Sequence, residues 1–170
     1  MMHKLLLIAL SSTLAVGCVQ REYRTAQIED GETQDIGESL DCNLIFKGLT
    51  DKRSGSGTIG PSSHAYNVEN LTEFLAVEID SMDASWNGTE SLSVELRHAY
   101  ARGKAMRGFY TIVLTARIGN DPQVVARGSY NMTNWSGTTR EFELGMTRAA
   151  SNALQDLKTF LLESGHCTAA

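Results

Sequence analysis

The residues in this sequence that are best suited to catalysis do not form a catalytic pattern. Ser62, Ser63 and His64 lie together in a glycine-rich stretch. A serine hydrolase needs its serine on a strained turn, beside a base and an orienting acid, and no Gly-x-Ser-x-Gly elbow occurs. The stretch also lacks the Lys-Ser/Thr ending of a phosphate-binding loop. His98 falls inside a strand pattern, which favours a hydrogen-bonded histidine at the core edge over a metal ligand. We therefore expect no catalytic residue, no metal and no cofactor.

The chain begins with the pattern of an export signal. Residues 1–4 hold one fixed positive charge at Lys4, Leu5 to Leu10 is a continuous apolar run, and small residues precede Cys18. An apolar core of about 7–15 residues between a positive start and a small-residue cleavage site is typical of a secretory signal. Spanning a bilayer takes about 20 apolar residues, so the segment is too short for that. We predict that residues 1–17 are a signal peptide.

Cys18 indicates how the exported protein is held. A cysteine directly after Gly17 resembles the bacterial lipobox, in which the thiol takes a diacylglycerol and the cysteine becomes the new N-terminus. Ala15 stands where leucine is usual, and Leu14 lies one place further out. The alternative is an ordinary signal peptide followed by a chance cysteine. The lipobox interpretation predicts lipidation at Cys18 and stable membrane anchoring by two or three acyl chains. Val19 is not the aspartate of inner-membrane retention, which favours the outer membrane, facing the periplasm.

The length and composition of the mature chain limit how many domains it can form and which partners it can bind. Removing residues 1–17 leaves 153 of the 170 residues, enough for one domain with a proper core. The formal net charge of −5 becomes −6 when Lys4 is removed, and an acidic protein is a poor nucleic-acid binder. We divide the mature chain into a lipidated, acidic, flexible tether over residues 18–38 and a single domain over residues 39–170.

The three cysteines then suggest a disulfide. With Cys18 lipidated, Cys42 and Cys167 remain, and two cysteines left in an oxidising compartment usually pair. Such a bridge would tie the first strand to the end of the chain. The alternative, a metal site that uses His166 and Cys167, lacks two further ligands at sensible spacing.

Apolar periodicity predicts an α+β domain. Period-two alternation indicates four strands, over residues 40–46, 92–100, 110–118 and 124–132. His98 and Tyr100 fall on the inner face of the second. For the last hairpin we predict that Ile118 pairs with Val124 and Leu114 with Gly128, because a one-residue slip would bury polar side chains.

Two amphipathic helices accompany these strands. The first follows a loop over residues 48–64, has Asn67 as its N-cap and runs to Met82; the second begins at the capping box of Thr138 and Glu141 and ends at Gly165. The order β-α-β-β-β-α predicts a two-layer sandwich: a mixed four-stranded sheet with both helices on one face and the other face in water.

Four basic residues form the most prominent exposed feature of this acidic chain. Arg97, Arg102, Lys104 and Arg107 lie in or beside one predicted hairpin. Such a group suits lipid phosphates or an acidic partner, and we take it as a candidate binding surface. The alternative is a hairpin end that is charged only to resist edge-to-edge aggregation.

Several segments of the mature chain resemble the YajG-type lipoproteins of Gram-negative bacteria. The first strand leads into Asp51-Lys52-Arg53, a later strand closes on Tyr130 in Arg127-Gly128-Ser129-Tyr130-Asn131, and a terminal helix follows. The family usually has proline where this chain has Ser54. The resemblance implies a fold like the N-terminal domain of TolB. We expect a non-enzymatic lipoprotein that binds or positions another cell-envelope component, with a protein partner. The alternative is an accessory or regulatory subunit of an envelope transport or peptidoglycan-synthesis machine.

Overall fold

A long antiparallel meander forms the centre of the protein. The computed structural model describes residues 22–28, 39–54, 58–60 and 64–170. Within it, β3 (Leu44–Asp51), β6 (Glu90–Lys104), β7 (Arg107–Ile118) and β8 (Val124–Thr133) form one sheet. Their order is β3-β6-β7-β8, with β3 parallel to β6 and the other pairs antiparallel. The predicted mixed four-stranded sheet is confirmed.

Two helices, α1 (Leu71–Asp80) and α2 (Thr139–Glu163), cover the inner face of this sheet. α1 packs on β3, and α2 packs on β7 and β8. The capping box is confirmed: the Thr138 hydroxyl accepts from the Glu141 backbone N–H, and the Glu141 carboxylate accepts from the Thr138 N–H. Fully buried apolar side chains from both layers form one core, including Leu75, Ile79, Leu96, Ile112, Leu114, Phe142, Met146 and Leu157. The α+β two-layer architecture is therefore as predicted.

The start of the first helix differs from the prediction. Asn67 belongs to a strand, β5 (His64–Val68), and α1 begins only at Leu71 after Asn70. Asn70 makes no side-chain cap, because its amide is used elsewhere: Oδ1 accepts from the Ile28 N–H at 2.9 Å and Nδ2 donates to the Ile28 carbonyl at 2.8 Å. The predicted loop over residues 48–64 likewise contains the end of β3 and the short strand β4 (Thr58–Ile59).

The predicted tether over residues 18–38 is wrong for residues 22–28. β1 (Glu22–Ala26) pairs in parallel with β5, in a second sheet of order β1-β5-β4. Ala26 and Ile28 are buried, and the bond pair between Asn70 and Ile28 fixes the end of the segment. A five-residue strand beside acidic residues lacks a clear period of its own, but pairing with a distant strand stabilises it. The folded domain therefore begins at least as early as residue 22.

The strand pairing of the last hairpin is shifted by two residues from the prediction. Ala116 pairs with Val124 and Ile112 with Gly128. Ile118 pairs with Leu92 of β6 on the other edge of β7, but the pairing with β8 ends at Ala116, so the connection between the paired residues of β7 and β8 is longer than expected. An even shift keeps every side chain on its predicted face, which is why alternation alone could not detect it.

The two ends of the domain are joined by a small ribbon. β2 (Leu40–Cys42) pairs antiparallel with β9 (Cys167–Ala169). The predicted disulfide is present between Cys42 and Cys167, which are also register partners in this ribbon. The stretch predicted as one strand over 40–46 is therefore two strands with different partners.

Candidate interaction surface

The β6–β7 hairpin ends in a two-residue turn of unusual composition. Ala105 and Met106 both adopt left-handed backbone conformations, with φ of 48° and 61°. Two-residue hairpin turns require such angles, and asparagine or glycine usually supplies them. For a residue with a Cβ, the left-handed region costs about 1–2 kcal/mol. The surrounding structure must therefore hold this turn in place.

Trp135, which follows β8, provides that support. Its backbone N–H donates to the Met106 carbonyl at 2.8 Å. Its indole ring lies directly against Gly103, where an added Cβ would approach ring atom Cζ3 to 1.8 Å. Only glycine fits at position 103 with the indole ring in this place. We refer to residues 102–109 as the hairpin tip.

Three of the four predicted basic residues lie in the hairpin tip. Lys104 and Arg107 are register partners on either side of the turn, and both are exposed. Arg102 pairs with Phe109, and its guanidinium carbon lies 5.0 Å from the centre of the Phe109 ring. A cation held over an aromatic face is stabilised by the ring quadrupole. The hairpin tip is therefore positively charged, and the Phe109 ring holds the Arg102 side chain in place.

Arg97 does not belong to this group. It lies at a β-bulge between Leu96 and His98, and its Nη1 forms a salt bridge with Glu95 at 3.1 Å. The extra residue of a bulge changes which side chains face the core. After it, Ala101 is buried, and His98 and Tyr100 are exposed. The prediction that His98 and Tyr100 lie on the inner face is therefore wrong.

On the water-facing side of the sheet, Tyr100 lies beside Thr111 of the neighbouring strand β7 and near residues of β8, the next strand in the sheet. A hydrogen bond with Thr111, reinforced by the positive charges of Arg127 and Arg102, holds the pKa of Tyr100 below its ordinary value of 10.0, against the effect of burial. The Thr111 and Ser129 hydroxyl oxygens are 3.5 Å apart. We call Tyr100, Thr111, Arg127 and Ser129 the outer-face cluster. Hydroxyls beside a guanidinium suit anionic groups such as phosphates and carboxylates.

Arg127 was not predicted as a site residue. Its outward position follows from the alternation in β8, but no sequence signal relates it to Tyr100, 27 positions earlier. The three-stranded pairing brings them together, since Val113 is the partner of both His98 and Arg127.

A shallow polar depression lies at the other end of the same face. It encloses about 370 Å³ and is lined by Ser93, Glu95, Arg117, Gly119 and Gln123. The Gln123 amide donates to the Thr115 hydroxyl at 2.7 Å and approaches Glu95 Oε2 at 3.4 Å. Its lining holds charges of both signs, so it does not extend the cationic character of the hairpin tip.

The Asp51-Lys52-Arg53 segment makes a local structural clamp. Arg53 Nε and Nη2 donate to the two carboxylate oxygens of Asp51 at 3.0 and 2.6 Å, and the Thr72 hydroxyl donates to Asp51 Oδ2 at 3.1 Å. These bonds, the one with Arg53 foremost, lower the pKa of Asp51 to about 2. The clamp joins the end of β3 to the first turn of α1.

Other predicted features have no described counterpart. Cys18, Ser62, Ser63 and the side chain of His64 lie outside the described residues, so the lipidation site stays a prediction. In the described segments, no group of three His, Cys, Asp or Glu side chains is placed to hold a metal ion. No helix among those segments has the length and apolar character needed to cross a membrane.

Comparison with known proteins gives structural similarities only. No protein-family model matches the sequence, and no curated protein matches it. Solved structures with some similarity include bacterial lipoproteins. A Xanthomonas campestris protein of family DUF330 has a TM-score of 0.48 and 13% identity over 86% of this chain and 96% of its own. A Caulobacter crescentus protein has a TM-score of 0.42 and 12% identity, over 55% of this chain and 81% of its own. A minor lipoprotein from Acinetobacter baumannii has a TM-score of 0.39 and 11% identity, over 73% of this chain and 98% of its own. Similarity at this level assigns neither family nor function.

Proposed function

We propose that this protein is a lipid-anchored lipoprotein of the bacterial envelope that binds or positions another envelope component without catalysing a reaction. Cys18 is the proposed lipidation site, in the outer membrane with the domain facing the periplasm, as in the YajG-type lipoproteins that the sequence resembles. The export signal and lipobox-like residues support the anchor. The open outer sheet face supports the binding role.

One observation carries the binding role: the outer face presents interface-forming side chains to solvent. Tyr100 is 42% exposed, Val125 on β8 is 63% exposed, and Arg127 on the same strand is also exposed. Tyrosine and arginine are enriched where protein interfaces concentrate their binding energy. The cluster has the size and chemistry of an anchor for an anionic or polar partner group.

The anchor is tested by cell fractionation. Cys18→Ser should move the protein from the membrane fraction to the soluble fraction, because the acyl chains are what hold it. If this variant stays in the membrane fraction, the lipid anchor is wrong.

The binding role is tested by cross-linking in intact envelopes, followed by purification in detergent. Arg127→Glu should lower the yield of the cross-linked partner at least about five-fold, the effect of losing roughly 1 kcal/mol of binding free energy, which is the lower bound for an important interface residue. Lys47→Glu makes the same charge change on β3, at the other edge of the sheet, and should leave the yield unchanged. Equal yields from both variants and the unmodified protein would exclude the outer face.

The identity of the captured component decides between the finer roles. A stoichiometric protein from a transport or peptidoglycan-synthesis machine would make this chain an accessory subunit, whereas glycan or lipid alone would make it a simple binder. A turnover signal that disappears in His64→Ala would contradict the non-enzymatic role.

A further inference from the structure

The first described residues of the chain emerge at the end of the molecule that holds the hairpin tip. Arg24 Nη1 donates to the Gly137 carbonyl at 3.1 Å, and Gly137 follows two residues after Trp135, which supports the tip. Directly after β1, the Gln27 N–H donates to Glu143 Oε1 at 3.0 Å, further along α2. β1 and the start of α2 therefore advance together, away from the tip. Glu22, at the start of β1, lies on the tip side of these contacts.

Little chain separates Cys18 from this point. Residues 19–21 are all that lie between it and β1. A fully extended chain spans at most about 3.3–3.6 Å per residue, so the four steps from Cys18 to Glu22 reach no more than about 14 Å. A lipid on Cys18 would hold the tip end of the domain close to the membrane surface, whereas the predicted 21-residue tether would have let it move away.

The side chains at this end suit a lipid surface. Among the described residues, the two most exposed large apolar side chains are Met106 at 69% and Tyr23 at 66%, and both lie here. Tyrosine favours the interface between membrane and water. Arg102, Lys104 and Arg107 surround the turn that presents Met106, and basic residues near a membrane are attracted to anionic headgroups.

We propose that the hairpin tip contacts the anionic lipid headgroups of the membrane that holds the anchor. Met106 enters the headgroup layer, while Lys104, Arg107 and Arg102 lie against the lipid phosphates. Trp135 holds the strained turn in the shape that presents them. This inference rests on the proposed anchor at Cys18. Lipid is the occupant that the short linker favours over an acidic protein, because the linker keeps the tip within reach of the bilayer.

The test places a fluorescent label at the tip of the mature, lipidated protein. In Met106→Cys the new thiol is the only free one, because the Cys18 sulfur carries the proposed diacylglyceryl group and Cys42 is bonded to Cys167. The protein is reconstituted into vesicles of phosphatidylcholine and phosphatidylglycerol that include a headgroup nitroxide quencher. We expect the label at position 106 to be quenched. The matched control, Val77→Cys on α1, is 60% exposed in the protein alone and should not be quenched.

A second measurement tests the charges. Lys104→Gln with Arg107→Gln should lower the equilibrium between contacting and free tip about 25-fold, since each basic residue near an anionic surface contributes about five-fold. Lys47→Gln with Lys52→Gln removes the same charge from β3 and the loop that follows it, and should have no such effect. Vesicles without phosphatidylglycerol should quench the label less, as should the combination of Lys104→Gln and Arg107→Gln.

The outcomes separate this inference from the function on which it rests. Vesicle flotation reports the anchor by itself, and a protein that does not float overturns both. A protein that floats, but whose label at position 106 is no more quenched than that at 77, overturns the tip contact and leaves the anchor standing. If the label at position 106 changes its environment only when solubilised envelope proteins are added, a protein binds the tip, and this result also overturns the proposed lipid contact.

Discussion

Replacement of Gly128 by alanine tests the contact that joins the two layers of the fold. Gly128 lies on the inner face of β8, where α2 crosses it. A Cβ at this position would lie 1.9 Å from the Ala149 carbonyl oxygen and 2.3 Å from the Ala153 nitrogen. Both are backbone atoms of α2, so no side-chain rotation can make room for the methyl group.

The size of the effect follows from two opposing contributions. Non-bonded carbon contacts are most favourable near 3.5 Å, so the helix would have to move out by roughly 1.5 Å. Overpacking costs about 1–3 kcal/mol where side chains can adjust, and we expect the upper end for a backbone clash. Alanine in a strand is otherwise better than glycine by about 0.5–1 kcal/mol. The net expectation for Gly128→Ala is a loss of about 2 kcal/mol in the free energy of unfolding.

Urea unfolding followed by circular dichroism measures this loss, with the disulfide intact in all samples. For a domain of this size, about 2 kcal/mol corresponds to a Tm lower by roughly 4–8 °C. Asn131→Ala, three residues along on the outer side of the same strand, should stay within about 0.5 kcal/mol of the unmodified protein. An unchanged or higher stability for Gly128→Ala would refute the close approach of α2 to β8, because only the favourable strand contribution would then remain.

Three further predictions concern stability. Replacing both Cys42 and Cys167 by alanine should cost about 2–5 kcal/mol in urea unfolding, because the bridge closes a loop with a sequence separation of 125 residues. Asp83→Ala should cost about 2–4 kcal/mol by the same measurement: the buried carboxylate accepts from the Cys42 and Ser85 N–H groups at 2.8 Å each, and the buried Cys42 donor would lose its partner. For Asp51, the pKa of about 2 in the folded protein lies below its ordinary 3.8, so its contribution is present above about pH 4 and is lost as the pH falls towards 2. Asp51→Asn should flatten the decline in stability over this pH range, by less than about 1 kcal/mol because the side chain is partly exposed. Thermal melts at several pH values measure this decline, and an unchanged acid profile would contradict the assignment.

Local and compositional signals predicted the parts of the fold that depend on near neighbours. Thr138 and Glu141 identify the start of α2 because a capping box needs only four residues. Cys42 and Cys167 were paired by elimination and compartment. Alternation placed β6, β7 and β8, but it could not fix the pairing of β7 with β8, because a shift of two residues leaves both faces unchanged.

Features that depend on distant partners were missed. β1 has no period that distinguishes it from a polar tether, and only its pairing with β5 and the bonds between Asn70 and Ile28 reveal it. The bulge in β6 was missed because both possible inner sets beyond it, Tyr100 with His98 or Ala99 with Ala101, include apolar side chains. Asn67 satisfied the rule for a helix cap but lies in a strand, which is a tertiary override of a local preference.

The candidate surface shows the same division. A turn between adjacent strands necessarily brings Lys104 and Arg107 together, so their grouping could be predicted from sequence. The role of Met106 could not be predicted, because a single apolar residue in a turn forms no pattern, and Tyr23 falls in the stretch that the sequence predicts to be a tether. Arg97 lies near them in sequence, yet the bulge and its salt bridge with Glu95 separate it from the tip.

The position of β1 also limits where a partner can be met. β6 has 15 residues, and strands rise about 3.3 Å per residue, so the sheet extends about 50 Å from the hairpin tip. With Cys18 lipidated, the linker adds at most about 14 Å. A component bound at the outer-face cluster, four or more residues from the turn, would then lie within a few tens of ångströms of the anchoring membrane. A long tether would have allowed search across the periplasm, whereas this arrangement selects partners that are themselves in, or held against, the same membrane.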